Sequence, residues 1–185
     1  MNATEQLSHV LPGLTRSVRS VQPMQMNDPT PCSELSVHGV IDHMIVGGTT
    51  LAHLFRGQMP PEVTPPAVYG WVPVKEFEAA MDDLLEAVAE PGALERTIPS
   101  PIGEVSGDEL ARFVAFDGLI HGWDLAVATG RPYDPPADVV DAVDRFARAT
   151  VTPEMRAAGL FAEATTPPEG AGQLEGLVAF SGRTV

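Results

Sequence analysis

Phe116-Asp117-Gly118-Leu119-Ile120-His121-Gly122-Trp123-Asp124-Leu125-Ala126 lies inside a long apolar helical pattern, and it sets a carboxylate and an imidazole one turn apart. Residues four apart project from the same face of a helix. Asp117 and His121 therefore point at one object, and Asp124 falls on the same stripe three residues on. A polar group buried without a partner costs about 1–3 kcal/mol, so polar groups on a face built for packing need a reason. A divalent metal supplies one. The competing reading is a pair of residues that only hydrogen-bond each other.

The helix that carries this stretch has legible ends. Ser106-Gly107-Asp108-Glu109 is a capping box, in which a serine hydroxyl and a glutamate carboxylate satisfy each other's backbone N–H groups. Gly130 is a natural stop after Thr129. Upstream, Ser36 reads as an N-cap and Gly57 as the residue after a second helix that contains Val37, Val40, Ile41, Met44, Ile45, Leu51, Leu54 and Phe55. That helix is apolar over most of its circumference and is expected to be central. His43 sits inside it as a third ligand. Gly47 follows one turn later, where a missing side chain leaves room, and Gly47-Gly48 predicts close packing or a cavity, because glycine costs a helix about 1 kcal/mol.

Two imidazoles and one carboxylate suit Zn²⁺, with Ni²⁺ or Fe²⁺ as alternatives. Three protein ligands leave a coordination position open for a thiolate or a water. Asp124 has two readings: it accepts the free ring N–H of His121, or it forms an ion pair with Arg112 or Arg131. The other histidines lie outside the set. His38 is expected to be solvated in the first turn of its helix. His9 lies in a first helix whose start is open. His53 is ten residues from His43, about 15 Å along the axis. Cys32, the single cysteine, reads as a buried structural thiol, since no neighbour that would activate it is identifiable. Trp123 faces another side of its helix, toward core or pocket lining.

The remaining segments fit around these two helices. Residues 4–21 carry a helical apolar face, interrupted by Pro12-Gly13, so the helix kinks or starts there. Asp28-Pro29-Thr30-Pro31-Cys32 is an extended connector. Residues 58–72, with Tyr69 and Trp71, form a proline-rich loop that crosses the surface or roofs a pocket. Val74 to Val88 is an amphipathic third helix ended by Pro91-Gly92. Residues 93–105, around Ile98, Ile102 and Val105, form a small hairpin or extended loop. Residues 137–150 form a fifth helix, and Leu174 to Arg183 packs back as one more. Four substantial helices with a long connection predict an all-α four-helix bundle with one or two additional C-terminal helices, in a single domain over residues 1–185.

With 25 acidic residues against 11 basic ones, the net charge is −14. A phosphate backbone or an anionic membrane needs clustered Lys and Arg, so neither nucleic acid nor membrane is an expected partner. No apolar run reaches membrane length and no export signal is indicated, which with one cysteine predicts a reducing, cytoplasmic setting.

Thr30-Pro31-Cys32 followed by Val37-His38-Gly39-Val40-Ile41-Asp42-His43-Met44-Ile45-Val46-Gly47 resembles a signature of an actinobacterial family. His121-Gly122-Trp123-Asp124-Leu125-Ala126 with Ala128-Thr129-Gly130-Arg131-Pro132 resembles a second, and Gly176-Leu177-Val178-Ala179-Phe180-Ser181-Gly182-Arg183 a third. The family is that of DinB-like proteins related to the N-terminal domain of mycothiol-dependent maleylpyruvate isomerase. The resemblance implies a DinB-like bundle with one divalent metal on His43, Asp117 and His121. It also implies activation of the low-molecular-weight thiol mycothiol for transfer or isomerisation with an electrophilic substrate. A non-enzymatic metal- or ligand-binding stress-response module is the alternative, and a homodimer is left open. Three departures stand out. Asp117 occupies the place of a glutamate, Leu35 that of a tryptophan, and the C-terminal domain of the isomerase is expected to be missing.

Overall fold

The computed structural model describes residues 1–64, 70–100 and 103–185. The predicted helices form where the apolar periodicity and caps place them. Helix α1 spans Ala3–Ser20, α2 Val37–Phe55, α3 Val74–Ala89 and α4 Gly107–Thr129. Around the bundle the neighbours run α1, α3, α2, α4. Then come α5 (Ala137–Thr150), α6 (Pro153–Ala157) and α7 (Gln173–Phe180). The fifth helix packs on α4 and α1, and α7 packs on α5. The five-residue α6 is an addition to the predicted set, started by Thr152, whose hydroxyl accepts from the Met155 N–H. The expected mostly helical, DinB-like bundle is the fold observed.

Pro12 neither starts nor ends α1. The helix begins at a capping box between Asn2 and Glu5 and runs through Pro12, which lies on the exposed side. The buried face of α1 is the predicted one: Leu7, Val10, Leu11, Leu14 and Val18. In α2, Ser36 caps the start through the Gly39 N–H, and Gly57 takes a positive φ of 70° just past the end.

Residues 97–106 form the hairpin, with β1 (Thr97–Ser100) antiparallel to β2 (Gly103–Ser106) and Ile98 opposite Val105. Both of those side chains are buried. Ile102 lies outside the described residues. The hairpin feeds directly into α4. A Cβ on Gly107 would meet the Ala93 carbonyl oxygen at 2.1 Å, so only glycine lets the backbone turn that closely. Ser106 Oγ then accepts from the Glu109 N–H at 3.2 Å, and at the far end Gly130 adopts the left-handed conformation.

The centre of the molecule is α4, which is in contact with α1, α2, α5 and the hairpin and has most of its residues buried. This corrects the expectation that α2 is central. Part of the apolar surface of α2, including Met44 and Leu51, lines a cavity as well as packing on the core. The described part of the 58–72 loop has no helix or strand and lines no wall of that cavity. Tyr69 lies outside the described residues, and Trp71 is 59% exposed. No helix among the described residues is long and apolar enough to cross a membrane.

Candidate metal centre

The middle of α2 and the middle of α4 meet at His43, Asp117 and His121. One donor atom from each lies within 4.8 Å of the other two. The Asp117 carboxylate sits between the rings, with Oδ2 3.2 Å from His43 Nε2 and Oδ1 3.4 Å from His121 Nε2. The ring centroids are 5.1 Å apart at an interplanar angle of 65°. His121 is buried, whereas His43 and Asp117 are about half exposed toward the cavity. The i,i+4 spacing thus puts both α4 donors on one face, and the α2–α4 contact brings the third.

Behind His121, Asp124 Oδ2 accepts from Nδ1 at 2.9 Å. That contact leaves Nε2 as the nitrogen facing Asp117. Asp124 is fully buried and also receives Arg183, whose Nη2 lies 3.0 Å from Oδ2 and Nε 3.4 Å from Oδ1. The expected ion pair therefore exists with a different partner. Arg112 is taken by Asp108 one turn earlier on α4, and Arg183 arrives from the segment after α7. The carboxylate thus accepts from His121 and pairs with an arginine other than the two expected.

Electrostatics follow from this packing. Desolvation would push the Asp117 carboxyl up, but the His121 charge beside it and hydrogen bonds from both histidines hold it well below the ordinary carboxylate range. Desolvation opposes charge on His121 as well, yet Asp117 and then Asp124 raise its imidazole to about 9. The metal-free cluster thus keeps a proton on His121 between two carboxylates. A divalent cation in its place would satisfy the same charges.

The cluster opens into a cavity of about 860 Å³. Gly47 and Leu51 lie on the α2 wall, Leu110, Phe113 and Phe116 on the α4 wall, and the segment 159–163 lines it as well. The double glycine splits its work. A Cβ on Gly48 would meet the Met81 methyl carbon at 2.5 Å and the Ala80 carbonyl oxygen at 3.2 Å, so that glycine permits the α2–α3 contact. At Gly47 nothing lies within 4 Å, so that one enlarges the cavity.

Cys32 is half-buried on the cavity wall, and its sulfur, a His121 nitrogen and an Asp124 oxygen all lie within 4.8 Å of one another. Burial raises the thiol pKa, only partly opposed by Arg183, in keeping with a structural thiol. The connector before α2 is pinned by the Thr30 hydroxyl, 2.6 Å from the Leu35 carbonyl oxygen.

The remaining histidines stay away from the cluster. His38 is not solvated: it is largely buried, with Nε2 3.0 Å from Asp42. His53 Nδ1 lies 2.9 Å from the Thr49 carbonyl oxygen. Trp123 packs against the core on another side of α4 and lines a smaller cavity of about 290 Å³ with Tyr133. Sequence reasoning missed Arg183 and Phe161. Arg183 closes the third quoted motif, but nothing in its spacing points to Asp124.

No protein-family profile matches the chain. Uncharacterized protein Rv0738 of Mycobacterium tuberculosis (strain ATCC 25618 / H37Rv) is 34% identical over 169 residues, covering 90% of this chain and 89% of its own length. Uncharacterized protein MT0763 of the CDC 1551 / Oshkosh strain matches to the same extent. Among solved structures, the crystal structure of the mycothiol-dependent maleylpyruvate isomerase has a TM-score of 0.64 at 17% identity. A point mutant of that enzyme gives 0.66 at 15%. Each comparison covers 86% of this chain and 73% of the other. Identity that low establishes a shared fold.

Proposed function

The chain belongs to the same family as the two M. tuberculosis proteins, and on that premise we propose that it is a metal-dependent protein of low-molecular-weight thiol chemistry, with mycothiol as the thiol. His43, Asp117 and His121 would hold one divalent cation, zinc first and nickel or iron next. The observation that carries the reading is the convergence of two imidazole nitrogens and a carboxylate oxygen within 4.8 Å on the floor of a cavity. The donor set fits: borderline nitrogen and oxygen ligands are those that Zn²⁺ accepts. A cation held there supplies Lewis acidity, which favours the thiolate form of a bound thiol.

The chain's own residues prepare the rest. Asp124 fixes the orientation of His121, and Arg183 anchors Asp124 from the other side. Outer partners of this kind orient a ligating ring and raise its basicity. The cavity has room for a thiol and a second molecule. Thiol transfer or isomerisation suits a reducing cytoplasm, as does the single cysteine. The single domain over residues 1–185 is part of the same reading.

The test is metal analysis of protein purified without added metal, with His43→Ala and His121→Ala alongside. Wild type should carry about one equivalent, and both variants far less. Near-zero metal in all three would end the metal reading. Consumption of mycothiol with an electrophile, abolished by a chelator, establishes the enzyme; metal binding without turnover returns the non-enzymatic module.

A further inference from the structure

The charged groups on the cavity wall are unevenly available. Glu34 and Glu163 are exposed acidic residues on the wall and Asp117 is shared between the two histidines, whereas the two arginines, Arg156 and Arg183, are engaged within the protein. Arg183 is bound to Asp124 through two nitrogens. Arg156 donates to the Ala162 and Phe180 carbonyl oxygens, and its guanidinium carbon lies 4.7 Å from the Phe180 ring centre. A dicarboxylate entering this space would meet two acidic residues away from the metal ligands, Glu34 and Glu163, and no uncommitted guanidinium on the described wall. The net charge of −14 adds to that repulsion at longer range.

Away from the metal ligands the wall is apolar and aromatic. Phe161 stacks over Phe113 and Phe116, with centroids 6.1 and 5.9 Å away and interplanar angles of 30° and 21°. Phe113 also meets Phe146 edge-on at 5.0 Å. Leu51, Leu84 and Leu110 continue the surface, and Gly47 leaves it open on the α2 side. Flat rings offer their faces to flat rings, and apolar walls with few polar groups select for apolar ligands.

We propose that this part of the cavity is a binding subsite for a neutral aromatic group, carried by the electrophilic partner of the thiol. The occupant's role as that partner rests on the thiol reading above; its binding does not. The subsite places an uncharged ring beside the cluster of His43, Asp117 and His121, and it disfavours small dianionic substrates.

The experiment titrates full-length protein with N-phenyl-1-naphthylamine, a neutral probe whose fluorescence rises in apolar surroundings. Metal-free and zinc-loaded samples are compared, and zinc content is measured on both. Wild type should bind the probe in both states, with 1-naphthol displacing it and maleate leaving it in place. Gly47→Leu fills the cavity from a helix position with open space, so it folds and weakens the probe about tenfold or more. Phe161→Ala weakens it about tenfold. Absence of binding, equal displacement by maleate, or unchanged affinity in Gly47→Leu overturns the proposal. Absence of zinc with probe binding intact overturns the metal reading and leaves the subsite standing.

Discussion

Removing Asp124 should expose how much of the site depends on a contact from the far end of the chain. Its carboxylate is 0% exposed and Arg183 is 17% exposed. Deleting one member of a buried ion pair strands the other and costs about 3–5 kcal/mol. In Asp124→Leu the stranded guanidinium retains some access to water, so the lower end applies, about 3 kcal/mol. At about 2–4 °C per kcal/mol for a chain of this size, the melting temperature of chelator-treated protein should fall by about 6–12 °C. Arg183→Met strands a fully buried carboxylate with only the His121 N–H, and the upper end applies, about 5 kcal/mol. The double variant removes both charges and loses mainly the His121 acceptor, about 1 kcal/mol. It should therefore be more stable than either single variant. Urea unfolding of the four proteins, treated as a double-mutant cycle, measures the coupling. If the double variant loses the sum of the two single losses, the ion pair contributes nothing and the argument fails. Zinc affinity gives a second readout: loss of an outer partner of a ligating histidine costs about 10–100-fold, so both variants lacking Asp124 should bind zinc more weakly.

Other outcomes follow from the same geometry. In metal-free protein the folded-state value of His121, about 9, lies above its ordinary 6.5. Its stabilisation is complete below pH 6.5 and is lost as pH rises through 9, so the melting temperature should decline over that window. Zinc binding must displace that proton, so zinc affinity should run the opposite way, rising about tenfold per pH unit toward 9; parallel slopes would mean the cation binds elsewhere. Gly47→Ala meets nothing within 4 Å and should stabilise by up to about 1 kcal/mol through helix propensity. Gly122→Ala brings its Cβ to 2.4 Å from the Tyr133 hydroxyl and should destabilise by about 1–3 kcal/mol; thermal melts that rank the two in reverse would contradict this packing. Cys32, with its thiol pKa raised above the ordinary 9.0 by burial, should resist iodoacetamide at neutral pH, and alkylation at the rate of free cysteine would refute its burial.

Legibility in the sequence divides by range. The caps at Ser36 and Ser106 and the stops at Gly57 and Gly130 are read locally, because a cap satisfies backbone groups within one turn. The pairing of Asp117 with His121 is local for the same reason. Of the two readings of Pro12 the start fails, since an exposed proline in a helix anchored by its opposite face need not begin it. The apolar girth of α2 misleads: periodicity cannot separate a side chain packed on a helix from one lining a cavity.

The sequence by itself determined the longer helices, most of their buried faces and two donors on one turn of α4, because each depends on residues three or four apart. Only the tertiary structure decided that His43 reaches those donors, that Arg183 and not Arg112 or Arg131 secures Asp124, and that Phe161 lines the cavity. Those contacts join residues separated by 74, 59 and 48 positions. Nothing in local periodicity encodes such pairings; the packing angles of whole helices and the path of the segments after α5 set them.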